Sequence, residues 1–249
     1  QLSSTSRNLV LARPLHSQVK TEVENLSRKA EAAESTLRGM YDELENEYDK
    51  LNQHLDDIDW MLSQLAQASF TLLPTESGIM AVKATLTNGP KADKDDPEGV
   101  LYLTDQRLIF EQKQEVATKK VLFITTERKT VQNLVFDIPV VMVEEIKPAK
   151  QGMFKNEDHL DIFFASGAPY RQVHLHLDGQ DCNLWQGLIN RAKIKDYDRD
   201  RAVAVDQAEV EKVKAAPTIC PACGGSITKP VLRGQDAISC EYCGHVIRL

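Results

Sequence analysis

Four cysteines near the C-terminus constrain the fold of this 249-residue chain more than any other feature. Cys220, Cys223, Cys240 and Cys243 have the spacing C-x2-C-x16-C-x2-C, which is typical of four-cysteine zinc sites. Two residues between paired cysteines allow one tight turn to direct both sulfurs at the same ion, and the glycine after each pair permits a left-handed turn. Four thiolates fill a tetrahedral shell, so the predicted zinc is structural and His245 is surplus.

The cysteine spacing, with predicted strands at 227–232, 237–239 and 246–247, resembles the zinc-ribbon family over residues 217–249. So small a module buries too little surface to fold alone, and one bound Zn²⁺ is expected to contribute the missing free energy. A redox dithiol pair is the alternative, but it would need a thioredoxin-like context. The paired cysteines favour a reducing compartment, which predicts the cytoplasm or the cytosolic face of a membrane.

The N-terminal part carries an apolar stripe at helical spacing. Steps of 3 and 4 connect its members over about six heptads, which predicts a coiled coil. The stripe contains Val19, Val23, Leu26, Ala30, Ala33, Leu37, Met40, Leu44, Tyr48, Leu51, Leu55, Ile58, Leu62 and Leu65. We predict the coiled coil over 17–73, after a flexible N-terminus at 1–16. A helix packed along its own domain is the alternative, and Gly39 is a candidate break that would make a hairpin.

The acidity of the chain is confined to this helix. Residues 17–66 hold 5 Lys/Arg and 12 Asp/Glu, so their net charge of −7 equals that of the whole chain. Helices that lie on anionic membranes usually carry Lys and Arg instead. The stripe therefore predicts self-association, or binding of a protein partner, through residues 17–66. Trp60 lies beside the stripe and is a candidate anchor of that contact or a core residue.

A different pattern begins after Pro74. Short apolar or alternating runs separated by turn residues are typical of an antiparallel sheet, and they are followed by an amphipathic helix near 181–192 that contains Trp185. The runs are 79–86, 100–111, 120–126, 131–136, 140–146, 160–165 and 171–177. The predicted fold class is therefore multidomain α+β: a long helix, a β-rich domain with a closing helix, and a small metal-bound β module.

Three stretches of this region carry a family resemblance. The run 99–110 with Thr104 and Arg107, the segments 136–139 and 143–146, and the terminal helix with Trp185 resemble GRAM and bacterial pleckstrin-homology-like (PH-like) domains over residues 75–194. The resemblance implies a β-barrel capped by a C-terminal helix. It also implies binding of lipid or protein rather than catalysis.

Several side chains in the β-rich region are candidates for binding. His174 and His176 alternate with apolar residues and share one face of a strand, where they could hold a metal, but the sequence indicates no third ligand and a polar outer face is the alternative. Cys182 is predicted to be a small buried hydrophobe, with a reactive thiol as the alternative. Four basic residues are candidate contacts for an anion or lipid, with a solvated rim as the alternative: Lys119, Lys120, Arg128 and Lys129.

These features favour a non-catalytic adaptor that assembles through its coiled coil and binds protein or membrane-surface partners. Residues 195–216 are charged and free of glycine, and we predict a linker between the PH-like domain and the ribbon. A nucleic-acid factor is a weaker alternative, because residues 217–249 have a net charge of only +1 and phosphate binding needs clustered cations. A peripheral membrane-stress component that binds lipid is a second alternative. An enzyme is not expected, since no catalytic signature is recognisable.

Overall fold

The computed structural model describes the backbone of residues 9–87, 93, 96–121, 124–152, 156–199 and 201–249, and the side chains of the same residues except 9–12 and 115–129. The chain divides into two compact units, Gln1–Asp56 and Asp57–Leu249. The boundary lies inside the first helix. Within the described residues, no helix combines the length and the apolar character that crossing a bilayer requires.

Helix α1, Leu9–Leu65, forms all that is described of the first unit. It begins at Leu9 rather than near residue 17, and it includes Pro14, so residues 9–16 of the predicted flexible N-terminus are helical. Proline costs a helix one N–H donor, which is tolerated best near the N-terminus. The helix runs through Gly39 without interruption, so the hairpin alternative is wrong. Exposed i,i+4 ion pairs such as Arg38 with Glu34 support it only weakly.

The second unit is built on a seven-stranded antiparallel sheet with the strand order β4-β3-β2-β1-β7-β6-β5. Its strands are β1 (Gly78–Thr87), β2 (Glu98–Thr104), β3 (Arg107–Val121), β4 (Ile124–Pro139), β5 (Val143–Gln151), β6 (Glu157–Phe164) and β7 (Gln172–Leu177), and helix α2 (Cys182–Lys193) follows. Seven antiparallel strands and a C-terminal helix are the elements that the PH-like resemblance implies. The sheet ends at β4 and β5, and closure into a barrel stays a prediction.

One face of the sheet packs on helix α2 and forms the main core. Trp185 is fully buried there among alternate residues of the strands, including Leu103, Phe110 and Leu175. The side chain of Asp181 caps the helix by accepting from the N–H groups of Asn183 and Leu184. This burial of a large aromatic side chain confirms that the amphipathic helix packs on the sheet through its apolar face.

The opposite face of strands β1–β3 is covered by the last turns of α1. Met61 is buried against Tyr102 and Ile109, with Trp60 partly buried beside them. Of the two roles predicted for Trp60, packing within its own domain is therefore the one observed. The part of the helix after Asp56 belongs to the sheet domain. Because this part packs on the sheet, the stretch of the stripe before Asp56 is the one left for contact with another helix.

One strand extends through a predicted loop. The sequence marks Lys147-Pro148 as a turn, but both residues lie inside β5. Proline lacks an N–H donor, so a sheet accepts it on an edge strand, and β5 is an edge of this sheet. The C-terminal part contains a 3-10 turn at Asp196–Asp198, helix α3 (Gln207–Ala215), and the strands β8 (Ala237–Ser239) and β9 (Val246–Arg248), which pair as a small second sheet.

Candidate functional site

Two similar turns form the four-cysteine site. In the first turn the N–H of Gly224 donates to the carbonyl of Cys220 at 2.9 Å, and in the second the N–H of Gly244 donates to the carbonyl of Cys240, also at 2.9 Å. Both glycines have φ +72°, a backbone conformation that costs other residues more than glycine. The glycines singled out in the sequence thus have the turn conformation expected of them.

The four sulfurs converge on one point. The Sγ atoms of Cys220 and Cys243 are 3.8 Å apart, those of Cys223 and Cys240 are 3.7 Å apart, and all four lie within 4.8 Å of one another. Four thiolates about 2.3 Å from a tetrahedral zinc would be separated by about 3.8 Å. The residues present therefore fit a single tetrahedral metal ion.

Backbone hydrogen bonds of the second turn favour the thiolate form of Cys240. The backbone N–H groups of Cys243 and Tyr242 point at its sulfur and lower the pKa of Cys240 to about 7. Cys220 and Cys240 are buried together with Ile247, and two further isoleucines pack against them. This core is very small, so a bound ion would contribute much of the stability of the module.

A buried ion-pair cluster joins the segment between the two cysteine pairs to the sheet domain. The guanidinium of Arg233 lies 2.6 Å from the Asp105 carboxylate and 3.1 Å from that of Asp198. Arg201 forms an ion pair with the same Asp105 oxygen and donates to the carbonyl of Thr75 at 3.1 Å. Asp105 is buried in the turn between β2 and β3, so its charge is compensated by two arginines.

Backbone contacts accompany the ion pairs. The N–H of Arg233 donates to the side chain of Gln106 at 2.7 Å, and the same side chain donates back to the carbonyl of Arg233 at 3.3 Å. Gly234, with φ +79°, lies against Pro74 so closely that a Cβ atom would come within 3.0 Å of it. The ribbon segment and the predicted linker thus pack on the sheet domain, which no local sequence pattern indicates.

Loss of the Arg233 side chain is expected to release the ribbon. In Arg233→Ala, Asp105 keeps Arg201 as a cationic partner but loses its second arginine, and breaking a buried ion pair costs about 3–5 kcal/mol. We expect faster hydrogen exchange across 217–249, measured by mass spectrometry on the metal-loaded chain, with metal content unchanged. Arg248→Ala, on an exposed position of the same module, is the matched control and should exchange like wild type. Equal exchange in both variants would contradict the docking role of Arg233.

Thr104 and Arg107, which carry the family resemblance, have structural roles. The Thr104 hydroxyl accepts from the N–H of Arg107 at 2.7 Å and donates to Glu76. The Arg107 guanidinium bonds both Glu76 and Asp137. Burial alone would lower the pKa of Arg107, but the hydrogen bonds and charges of these two carboxylates raise it. The β2–β3 turn is therefore tied to the start of the sheet domain by buried charges.

The two predicted histidines are joined by a third. His174 is buried and His176 half-buried on the outer face of β7, and His159 on the neighbouring strand β6 is 3% exposed. Burial, and then the nearby His176, lower the pKa of His159. Sequence reasoning missed His159, because its neighbours are set by the register between strands rather than by spacing along the chain.

The other predicted candidates are the Cys182 thiol and the four basic residues on β3 and β4. Cys182 is fully buried, and burial raises the pKa of its thiol, which argues against a reactive thiolate. Asp158, Asp181 and Cys182 also lie close together, but the ammonium of Lys150 binds both carboxylates. The candidate anion contacts lie on β3 and β4 with side chains outside the described residues: Lys119, Lys120, Arg128 and Lys129.

Comparison with known proteins finds similarity among solved structures only. No known protein-family model matches the chain, and no curated protein matches it. The structure titled "Vps36 N-terminal PH domain" is 18% identical at a TM-score of 0.34, covering 51% of this chain and 85% of that one.

Two structures containing DH/PH domains are also similar. A complex of PDZ-RhoGEF DH/PH domains with GTP-gamma-S activated RhoA is 17% identical at a TM-score of 0.30, covering 53% of this chain and 36% of that chain. The DH/PH domains of p115-RhoGEF are 13% identical at a TM-score of 0.29, covering 58% and 43% respectively. The chain thus spans less than half of either DH/PH structure. TM-scores this low carry no argument about the fold. The strand order and the C-terminal helix are what agree with the PH-like resemblance.

Proposed function

We propose that this protein is a non-catalytic adaptor that assembles through helix α1 and presents a PH-like domain with a zinc-stabilised ribbon docked on it. The observation that carries the proposal is the exposure of the apolar stripe in the first unit. Large apolar side chains there are about half exposed or more, among them Leu26 at 69%, Met40 at 63% and Leu44 at 62%. Contiguous exposed apolar surface of this kind marks an interaction site.

The occupant that best fits the stripe is the same helix of a second copy. A stripe in steps of 3 and 4 presents the knobs that a coiled-coil partner accepts, and a second copy supplies an equal stripe. The remaining faces of the helix are polar, and residues 17–66 have a net charge of −7, so the apolar seam is the surface of this helix that suits helix pairing. Assembly would bring several PH-like domains together, and weak contacts of each domain would then act in concert.

The PH-like domain is the element proposed to bind the target. Its ligand would be a protein or a membrane surface. The ribbon would stay docked on this domain through the ion pair of Arg233 with Asp105. The proposed Zn²⁺ fills the four-cysteine site and has a structural role, since four thiolates leave no open position for a substrate. The sulfur spacing of 3.7–3.8 Å supports this assignment.

Disruption of the stripe is expected to dissociate the assembly. Replacing Leu37 and Leu44 by aspartate places four charges in the seam of a dimer, and loss of each leucine alone costs about 2–5 kcal/mol. Analytical ultracentrifugation over a range of concentrations should give a multiple of the 27.9 kDa chain mass for wild type and the chain mass for the variant. The control carries the same charges off the stripe, as Ser35→Asp with Asn46→Asp, and should stay assembled.

A truncation supports the same test and separates assembly from target binding. Deleting 17–56 removes the stripe from Val19 to Leu55 but leaves Trp60, Met61 and Leu65, which the sheet domain needs. If the adaptor proposal holds, affinity capture with the truncated chain retains the target of the PH-like domain but loses copies of the full-length chain. A wild-type protein that sediments at the chain mass at all concentrations would overturn the assembly step.

A further inference from the structure

Three imidazoles meet on the outer face of the sheet. His174 and His176 are two residues apart on β7, so both side chains lie on the same face, and His159 on β6 is directly opposite His176 in the strand register. The Nδ1 atom of His159 is 3.0 Å from Nε2 of His174. The rings of His159 and His176 are stacked, with centroids 4.7 Å apart and planes 12° apart.

Carboxylates face the outer nitrogens of two of these rings. Nδ1 of His174 lies 2.8 Å from the Asp161 carboxylate, which also accepts from Gln172 at 3.0 Å and is thereby held in place. Nε2 of His159 lies 3.5 Å from a carboxylate oxygen of Glu157. The buried pair of imidazoles is thus flanked by one carboxylate on each side.

If both imidazoles are neutral, they carry too few protons for this chain of contacts. Two neutral imidazoles carry one N–H each, but three gaps need a proton: Asp161 to His174, His174 to His159, and His159 to Glu157. If His174 donates to Asp161 and His159 donates to His174, then Nε2 of His159 has only a lone pair facing Glu157. That atom is buried and has no hydrogen-bond partner among the described residues, which agrees with the count.

We propose that His159, His174 and His176 form a second metal site, which binds a divalent transition-metal ion of the zinc or copper type. An ion in the gap between Nδ1 of His159 and Nε2 of His174 takes the place of the proton there. Both N–H groups can then point outward, to Asp161 and to Glu157, and every contact in the chain is satisfied. The result is two carboxylate–histidine–metal arrangements, the usual way in which proteins orient imidazole ligands.

The distance between the two buried imidazoles suits this assignment. Two imidazole nitrogens about 2.1 Å from one tetrahedral ion are separated by about 3.4 Å, a few tenths of an ångström more than the gap of 3.0 Å. His176 has to turn about its side-chain torsions to bring a nitrogen to the same ion, because the three rings do not share a common centre in the structure. Of the three histidines, His176 is the one that borders an open cavity of about 510 Å³, so its ring has room to change its side-chain torsions. Imidazole ligands favour zinc, copper and nickel over the hard cations.

The test measures Zn²⁺ binding to the full-length chain. Equilibrium dialysis with elemental analysis should give two ions per chain for wild type, one in the ribbon and one at the histidines. His159→Gln and His174→Gln should retain one. His176→Gln, at a half-buried position that folding tolerates more easily, should also lose the second ion, and Asp161→Asn should bind it about 10–100-fold more weakly. The control His54→Gln, on an exposed helix position, should bind two.

Cobalt separates the two sites in the same samples. Co²⁺ bound to four thiolates has intense sulfur-to-metal charge-transfer absorption, which imidazole ligands do not produce, so this band reports an intact ribbon in each histidine variant. In wild type, the ¹H–¹³C NMR signals of His159, His174 and His176 should shift or broaden on addition of the second equivalent. A wild-type chain that never holds more than one ion, or histidine variants that still hold two, would overturn the proposal.

Discussion

Replacing Cys240 by serine is expected to abolish metal binding by the ribbon and to unfold residues 217–249 while the sheet domain stays folded. Structural zinc contributes about 10–16 kcal/mol in small zinc modules, and the ribbon core consists of little more than Cys220, Cys240 and Ile247. A serine oxygen is a poor substitute for a thiolate that two backbone N–H groups stabilise. No other interaction of the module is large enough to compensate.

The measurement is the sulfur-to-cobalt charge-transfer band of the Co²⁺-loaded chain, together with hydrogen exchange along the sequence. In Cys240→Ser the band should be lost and 217–249 should exchange rapidly, including the segment around Arg233 that contacts Asp105. Cys182→Ser, which changes a fully buried cysteine outside the site, is the control and should keep the band. A Cys240→Ser chain that retains a stoichiometric tetrathiolate spectrum would disprove the ligand assignment.

The parts of the structure that the sequence predicts well are those encoded by local spacing. The two cysteine pairs needed no knowledge of the rest of the chain, since each pair lies within one turn. The burial of Trp185 followed from the period of its helix, and the alternation of strands β1–β7 indicated an antiparallel sheet. In each case the residues that determine the outcome are within a few positions of one another.

The parts that sequence reasoning missed depend on contacts between distant segments. His159 joins His174 and His176 only because β6 and β7 pair in one register, and a shift of one residue would place it on the other face. Arg233 and Asp105 are likewise far apart in sequence, and both look like ordinary surface charges there. The turn predicted at Lys147-Pro148 was wrong because whether a proline fits a strand depends on whether that strand is an edge.

Removal of the Glu76 side chain is expected to destabilise the sheet domain by about 3–5 kcal/mol, because it leaves the buried Arg107 guanidinium with incomplete compensation. Glu76 is fully buried at its side chain. It accepts from Arg107 Nε at 2.8 Å, from the N–H of Leu73 at 2.9 Å and from the Thr104 hydroxyl. Asp137 remains as a partner of Arg107 at 2.7 Å, but its side chain is 31% exposed, so solvent screens its charge more strongly.

Urea unfolding followed by tryptophan fluorescence suits this test, because both tryptophans of the chain, Trp60 and Trp185, lie in the sheet domain. Glu76→Ala should lower the unfolding midpoint substantially. Glu76→Gln keeps a hydrogen-bond acceptor but not the charge, so its midpoint should lie between those of wild type and Glu76→Ala. The control Glu145→Ala removes an exposed partner of Lys147 at 3.1 Å and should cost about 0–1 kcal/mol. Equal losses in Glu76→Ala and Glu145→Ala would mean that the Glu76–Arg107 pair contributes no more than an exposed one. In that case the β2–β3 turn with Thr104 and Arg107 would be stabilised by its backbone hydrogen bonds rather than by buried charge.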